Sequence, residues 1–123
     1  MDVARTRFEE ACAHDRAGRE ADAIRCYREA LEAGLPDPLR SQALLGLGSS
    51  LRDVRRHEEA VAVLEEAVAA YPEHAGLRVF HALALRSAGR EREAFRALGT
   101  LVIEEVDLRG ADRAAALALA HLD

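Results

Sequence analysis

The stretch Gly18-Arg19-Glu20-Ala21-Asp22-Ala23 carries a pattern that returns twice further along the chain. A turn residue precedes an arginine, and a small alanine follows that arginine four residues later. The arginines of the three copies are Arg19, Arg56 and Arg90, and their spacing is 37 residues and then 34. Three extra residues in the loop 34–38 account for the longer interval. A period near 34 residues is typical of a helix-turn-helix repeat, so the pattern predicts stacked helical hairpins.

Residues of matched size recur at equivalent positions of the three copies. Small residues occupy one column of the first helices, at Ala11, Gly48 and Ala82, and one column of the second helices, at Ala23, Ala60 and Ala94. Large residues follow in the second helices at Tyr27, Leu64 and Leu98. Small side chains let two helix backbones approach closely, and the large ones fill the space that remains. Each hairpin then buries its remaining apolar face only when the next hairpin stacks on it.

The helix signals predict seven helices and no strand, with bounds 3–17, 20–33, 39–54, 57–71, 74–88, 91–105 and 108–122. Gly18 supplies the left-handed residue that ends a helix at low steric cost, and Arg55 stands where the equivalent turn prefers glycine. Asp37 is the expected N-cap of the third helix, with Pro38 in the first helical position. The expected organisation is a single domain 1–123, with repeats 4–37, 41–74 and 75–107 and a capping helix 108–122.

Composition narrows the function classes. All 17 basic residues are arginine, lysine and asparagine are absent, and the net charge is -5. Because nucleic-acid affinity depends on clustered positive charge, we do not expect a nucleic-acid partner. No stretch approaches the roughly 20 apolar residues that cross a bilayer, and no signal-peptide core is present, so the predicted location is cytoplasmic. The alanine and arginine bias favours a bacterial source with a GC-rich genome.

Cys12 and Cys26 are the two cysteines of the chain. In a cytoplasmic protein they are expected to stay reduced. A hairpin that turns at Gly18 would hold them at similar heights on neighbouring helices, so a regulatory disulfide is the alternative.

Three stretches carry a resemblance to a known family: Ala13-His14-Asp15 before Gly18-Arg19-Glu20, residues 44–52, and Phe80-His81-Ala82-Leu83-Ala84-Leu85. With the repeat columns, they make the whole chain resemble the tetratricopeptide repeat family, and more narrowly the short stand-alone bacterial proteins with three repeats. The resemblance implies an all-α right-handed superhelix of three hairpins plus a capping helix. It also implies an adaptor that holds a peptide or partner segment in a concave groove, lined by the first helix of each repeat.

Catalytic and metal-binding interpretations find little support in the sequence. The segment Gly46-Leu47-Gly48-Ser49-Ser50 lacks the Gly-Lys-Ser/Thr ending and the preceding strand of a phosphate-binding loop. The histidines and their neighbouring acid, at His14, Asp15, His57, His74, His81 and His121, form no His-x-x-x-His pair. We therefore expect no enzyme activity, no cofactor and no metal. Gly48 has a packing reason within its column, whereas Gly46 has none. Loose packing is therefore expected at Gly46, and close approach of a ligand backbone is the alternative.

The predicted partner-binding groove comprises residues on the exposed side of the first helices: Phe8, Cys12, Arg16, Leu45, Gly46, Ser49, Arg52, Val79, Leu83 and Arg86. Its apolar floor is formed by Phe8, Leu45, Val79 and Leu83, and its arginine edge by Arg16, Arg52 and Arg86. Because guanidinium pairs well with carboxylate, an acidic peptide is the favoured partner. The arginines are otherwise the solvated ends of amphipathic helices. The sequence thus predicts a non-enzymatic interaction scaffold, with a homo-oligomer that uses the groove or the last helix as the alternative.

Overall fold

The computed structural model describes residues 2–105, and this part of the chain is helical without any strand. Its six helices are α1 Val3–Arg16, α2 Glu20–Ala33, α3 Leu39–Asp53, α4 His57–Ala70, α5 Ala75–Ser87 and α6 Glu91–Glu105. Each agrees with its predicted bounds to within one residue at either end. The seventh predicted helix, 108–122, lies outside the described residues.

The first helices of the three hairpins, α1, α3 and α5, pack differently from the second helices, α2, α4 and α6. Every helix contacts its successor, and in addition α1 contacts α3, and α3 contacts α5. Within residues 2–105, the backbones of α2 and α4 do not come together in this way, and neither do those of α4 and α6. The first helices are therefore closer together than the second helices, so the array curves with α1, α3 and α5 on its inner side. We call these three helices the inner layer.

The same turn joins the two helices of every hairpin. A left-handed residue follows each first helix, with φ of 76° at Gly18, 67° at Arg55 and 81° at Gly89. The next N–H donates to a carbonyl five residues earlier: Arg19 to His14 at 2.9 Å, Arg56 to Leu51 at 2.9 Å and Arg90 to Leu85 at 2.8 Å. This bonding pattern satisfies carbonyls that a helix end leaves free. The recurring arginine of the sequence therefore lies just beyond the left-handed residue.

The loop between the first two hairpins corrects one prediction. Asp37 does not cap α3. Its carboxylate instead accepts a hydrogen bond from the Tyr71 hydroxyl at the end of α4. The N-cap position belongs to Pro38, whose carbonyl accepts from the Ser41 hydroxyl at 3.0 Å. Leu35 in the same loop is buried in the core. The loop thus contacts the hairpins on both sides of it.

Two glycines on α3 admit one large side chain from each side. A Cβ atom on Gly48 would lie 2.5 Å from Cγ of Leu64, as the column of small residues predicts. A Cβ atom on Gly46 would lie 2.5 Å from the hydroxyl oxygen of Tyr27 and would also collide with its ring. Tyr27 on α2 and Leu64 on α4 are equivalent residues of consecutive repeats. The same position of each second helix therefore packs against a glycine of α3. The expectation of loose packing at Gly46 is therefore wrong.

The outer face of α6 differs from its equivalents in the earlier repeats. Ile24 and Val61 are 4% and 2% exposed, because the next hairpin covers them. The corresponding Phe95 is 45% exposed, and Val102 on the same face is 43% exposed. Leu98 is 40% exposed, so the prediction that it fills the interior as Tyr27 and Leu64 do is wrong for the third repeat. The repeat pattern thus leaves an apolar stripe on α6.

Candidate partner-binding groove

All ten residues predicted for the groove lie on the inner layer. The set divides into Phe8, Cys12 and Arg16 on α1, Leu45, Gly46, Ser49 and Arg52 on α3, and Val79, Leu83 and Arg86 on α5. Arg16 and Arg86 are exposed, and the other eight are partly buried. Partial burial is what a lining surface requires, since its residues pack on one side and face solvent on the other.

The apolar floor is continuous with the hydrophobic core at its α1 and α3 end. Phe8 and Leu45 both pack against the buried cluster. The ring of Phe8 lies 6.3 Å from that of Tyr27, centroid to centroid, at an interplanar angle of 59°. Such a tilted aromatic pair adds stability beyond its buried area. Val79 and Leu83 extend the partly buried apolar surface along α5.

Tyr27 lies beneath this end of the groove, and the sequence did not predict its contribution. It is only 4% exposed, and its hydroxyl donates to Oδ2 of Asp15 at 3.0 Å. Sγ of Cys12 lies 4.0 Å from the same hydroxyl oxygen. Burial, followed by the hydrogen bond to Asp15, raises the pKa of Tyr27, so it stays protonated and donates to the carboxylate. Tyr27 thereby connects Asp15, Cys12, Phe8 and Gly46.

The three arginines of the edge differ from Arg28 and Arg90 in whether they form salt bridges with carboxylates. Arg16, Arg52 and Arg86 make no salt bridge with any carboxylate in residues 2–105. By contrast, Arg28 on α2 reaches Glu59 at 3.1 Å, and Arg90, directly before α6, reaches Glu58 at 3.3 Å. The three edge arginines therefore keep their charge available for a carboxylate from outside, unlike Arg7 and Arg78 of the same layer, which pair with glutamates.

Arg52 is nevertheless held in place. Its Nε donates to Oγ of Ser87 on α5 at 2.8 Å, a bond that joins consecutive repeats. Arg52 and Arg86 are equivalent positions, and Asp15 occupies that position in the first repeat. Arg16 stands one residue later, so the edge is less regular than three equivalent arginines would be.

Comparison with known families now decides what these hairpins are. The family model described as Tetratrico peptide repeat matches residues 4–117. The chain belongs to the tetratricopeptide repeat family. Tetratricopeptide repeats generally mediate protein-protein interaction, and the family is one of non-catalytic scaffolds. A search of curated proteins finds no match to this chain.

The histidines of this tetratricopeptide protein have separate local roles. Nδ1 of His14 accepts from Nε of Arg19 at 3.0 Å, and Nδ1 of His74 caps α5 by accepting from the N–H of Leu77 at 3.1 Å. His81 is partly buried, and burial lowers its pKa. Within residues 2–105, no three potential ligands come together for a metal ion. His121 lies outside the described part.

Both cysteines of the first repeat are free thiols. Cys26 is buried, and burial raises the pKa of its thiol. A raised pKa lowers the fraction of reactive thiolate.

For the described helices, none combines the length and the apolar character that crossing a bilayer requires.

Proposed function

We propose that this tetratricopeptide protein is a non-enzymatic scaffold that binds a peptide or an extended partner segment along the inner layer. The observation that carries the proposal is the pairing of the arginines. Arg16, Arg52 and Arg86 have no acidic partner in the described residues, whereas Arg28, Arg56 and Arg90 are paired with glutamates. An acidic partner would supply the missing carboxylates.

The floor and the edge would contribute differently to binding. Exposed ion pairs contribute roughly 0.2–1 kcal/mol each and are screened by salt. Apolar contacts that exclude water, such as those available at Leu45 and Leu83, typically provide most of the affinity. We therefore infer that the floor supplies affinity, while the arginines set which partner segments bind and in which register.

The architecture around the groove is also part of the proposal. We infer one domain with repeats 4–37, 41–74 and 75–107, wound as a right-handed superhelix. We assign residues 108–122 as the capping helix, because the apolar stripe of Phe95, Leu98 and Val102 needs a cover. A cytoplasmic location and a bacterial source remain predictions from composition.

A homo-oligomer is the second candidate, and the same stripe on α6 favours it. A second copy could bury these three side chains in place of residues 108–122. Light scattering over a wide concentration range separates the two candidates. A monomer at every concentration rules out the oligomer, whereas a tight dimer that Phe95→Asp dissociates would favour it.

Photo-cross-linking tests the proposed site directly. A photoreactive amino acid placed at position 83 on α5 should capture a partner from the native host, because that position lies in the groove. The matched control places the same group at Glu66, an exposed residue of α4. Capture at position 66 with none at position 83 would move the site to the outer face.

A further inference from the structure

A cleft of about 490 Å³ opens where the turn between α3 and α4 meets the end of α5, lined by Arg52, Asp53, Arg55, His57 and Ser87. Only Arg52 belongs to the groove residues. The lining brings two arginines together against one carboxylate, that of Asp53. The cleft is therefore locally basic in a chain whose net charge is -5.

Other acids near the cleft are already paired with other arginines. Glu59 accepts from Arg56 and Arg28, which lower the pKa of its carboxyl group. Oε1 of Glu58 accepts from Nη1 of Arg90 at 3.3 Å. No such pair reaches Arg52 or Arg55 from a carboxylate in the described chain. With Asp53 as the one carboxylate of the lining against two arginines, the cleft therefore keeps a net positive charge.

Arg52 is oriented without using its full donor capacity. Its Nε donates to the Ser87 hydroxyl at 2.8 Å, which fixes the guanidinium against α5. The two terminal nitrogens remain available, and they are the atoms that pair with an oxyanion in the planar fork of arginine. Less rotamer entropy is lost when an already oriented side chain binds a ligand.

Arg55 is an unexpected residue for its backbone conformation. Its φ of 67° lies in the left-handed region, where the equivalent turns have Gly18 and Gly89. A side chain there costs roughly 1–2 kcal/mol. The cost places a guanidinium at the cleft, and backbone strain of this kind tends to occur at functional sites.

His57 adds a third observation. Its Nδ1 is buried and has no hydrogen-bond partner. Buried polar atoms nearly always have a hydrogen-bond partner, so an unpaired one indicates a place for a ligand or a water molecule. Arg52 and Arg55 thus offer donor groups around a single cleft, and the imidazole of His57 lines the same cleft.

We propose that this cleft is an anion site that takes one oxyanionic group, a phosphoryl or carboxylate group, from a free anion or a bound partner. It extends beyond the groove, since Arg55, His57 and Ser87 lie outside the groove set, and it shares Arg52 with the groove. Arg52 would then link the two sites.

Amide chemical shifts of the full chain, titrated with inorganic phosphate and separately with the peptide acetyl-Glu-Glu-Glu-amide, test the site. We expect saturable shifts centred on residues 52–57 and 87–89. Saturation by phosphate identifies a free anion as sufficient, and saturation by the peptide alone identifies a partner carboxylate. Absence of saturable shifts there with both probes overturns the proposal.

Arg55→Gly is the decisive variant, because glycine suits the left-handed backbone and keeps the protein folded. It should weaken binding about fivefold or more, given the strength of hydrogen bonds to charged groups. Arg52→Gln should weaken it similarly. Arg92→Gln, on the exposed surface of α6, should leave binding unchanged. Equal affinity in Arg55→Gly and the parent protein would overturn the proposal.

Two groove variants keep this site separate from the proposed function. Arg16→Gln and Leu83→Asp change groove residues that do not line the cleft. They should leave binding of the anion unchanged even where they abolish partner capture. Loss of anion binding in both would overturn an independent site.

Discussion

The ring of Tyr27 on α2 lies against the bare backbone of Gly46 on α3, where a Cβ atom would come within 2.5 Å of the tyrosine hydroxyl oxygen. The contact joins the first two repeats directly beneath the groove. It also explains a glycine inside a helix, which otherwise costs about 1 kcal/mol relative to alanine. Helix propensity therefore predicts that alanine at position 46 stabilises the protein, whereas packing predicts that it destabilises the protein.

Gly46→Ala should destabilise the protein by about 1–2 kcal/mol, because overpacking beside the buried Tyr27 outweighs the gain in helix propensity. Urea unfolding followed by circular dichroism measures it. In a Tyr27→Leu background the same substitution should cost less, since the ring is gone. A Gly46→Ala protein as stable as the parent would contradict the packing account.

Gly48→Leu should open the central hairpin, because the new side chain meets Leu64 across the interface between α3 and α4. Overpacking of this kind typically costs about 1–3 kcal/mol. Differential scanning calorimetry should show a lower melting temperature with the helical content retained at low temperature. Unchanged stability would mean that the repeat columns have been assigned incorrectly.

Arg55→Gly should stabilise the fold by about 1 kcal/mol, because it removes the left-handed strain of a side chain. The reciprocal substitution Gly89→Arg should destabilise the third hairpin by a similar amount. Thermal melts of the two variants test the pair. A lower melting temperature for Arg55→Gly would show that the arginine side chain contributes more than its strain costs.

His81 should make stability depend on pH in the weakly acidic range. Burial lowers its pKa, an effect that Arg90 reinforces and that Glu65 on α4 and Glu93 on α6 oppose. Below the ordinary histidine pKa of about 6.5, the unfolded chain binds a proton that the folded chain resists. Stability should therefore fall as pH drops through that value.

His81→Leu places at this position the residue that occurs at the equivalent Leu47. Equilibrium unfolding at a series of pH values should give a flatter dependence for this variant than for the parent protein. Identical slopes would assign the acid sensitivity to other groups.

The repeat period predicts the helices well because it depends on local signals. Turn residues at Gly18 and Gly89 and matched columns of side-chain size determine where helices begin and end. Contacts between repeats were less predictable, since the direction of a long side chain depends on how the hairpins pack. The bond from Arg52 to Ser87 spans 35 residues, and that from Tyr71 to Asp37 spans 34. Gly46 shows the same limit, because the sequence predicts loose packing there and only the packed hairpins bring the ring of Tyr27 against it.

The predicted groove residues share one layer of the fold for a related reason. Repeat phase assigns each position to the inner layer or to the second helices, and α1, α3 and α5 carry the whole predicted set. Phase alone does not show which charges are already paired. Only the packed structure separates Arg28 and Arg90, which have acidic partners, from the arginine edge.

The most direct test of the groove measures affinity for the captured partner by titration calorimetry at about 0.05 M and about 0.5 M salt, since exposed charges are screened over that range. Replacing Arg16, Arg52 and Arg86 with glutamine should weaken binding about tenfold and remove most of its salt dependence. Leu45→Asp with Leu83→Asp should weaken it at both salt concentrations. Replacing Arg25, Arg28 and Arg92 with glutamine on the second helices should change little. Full affinity in a protein that carries both the edge and the floor substitutions would contradict the account.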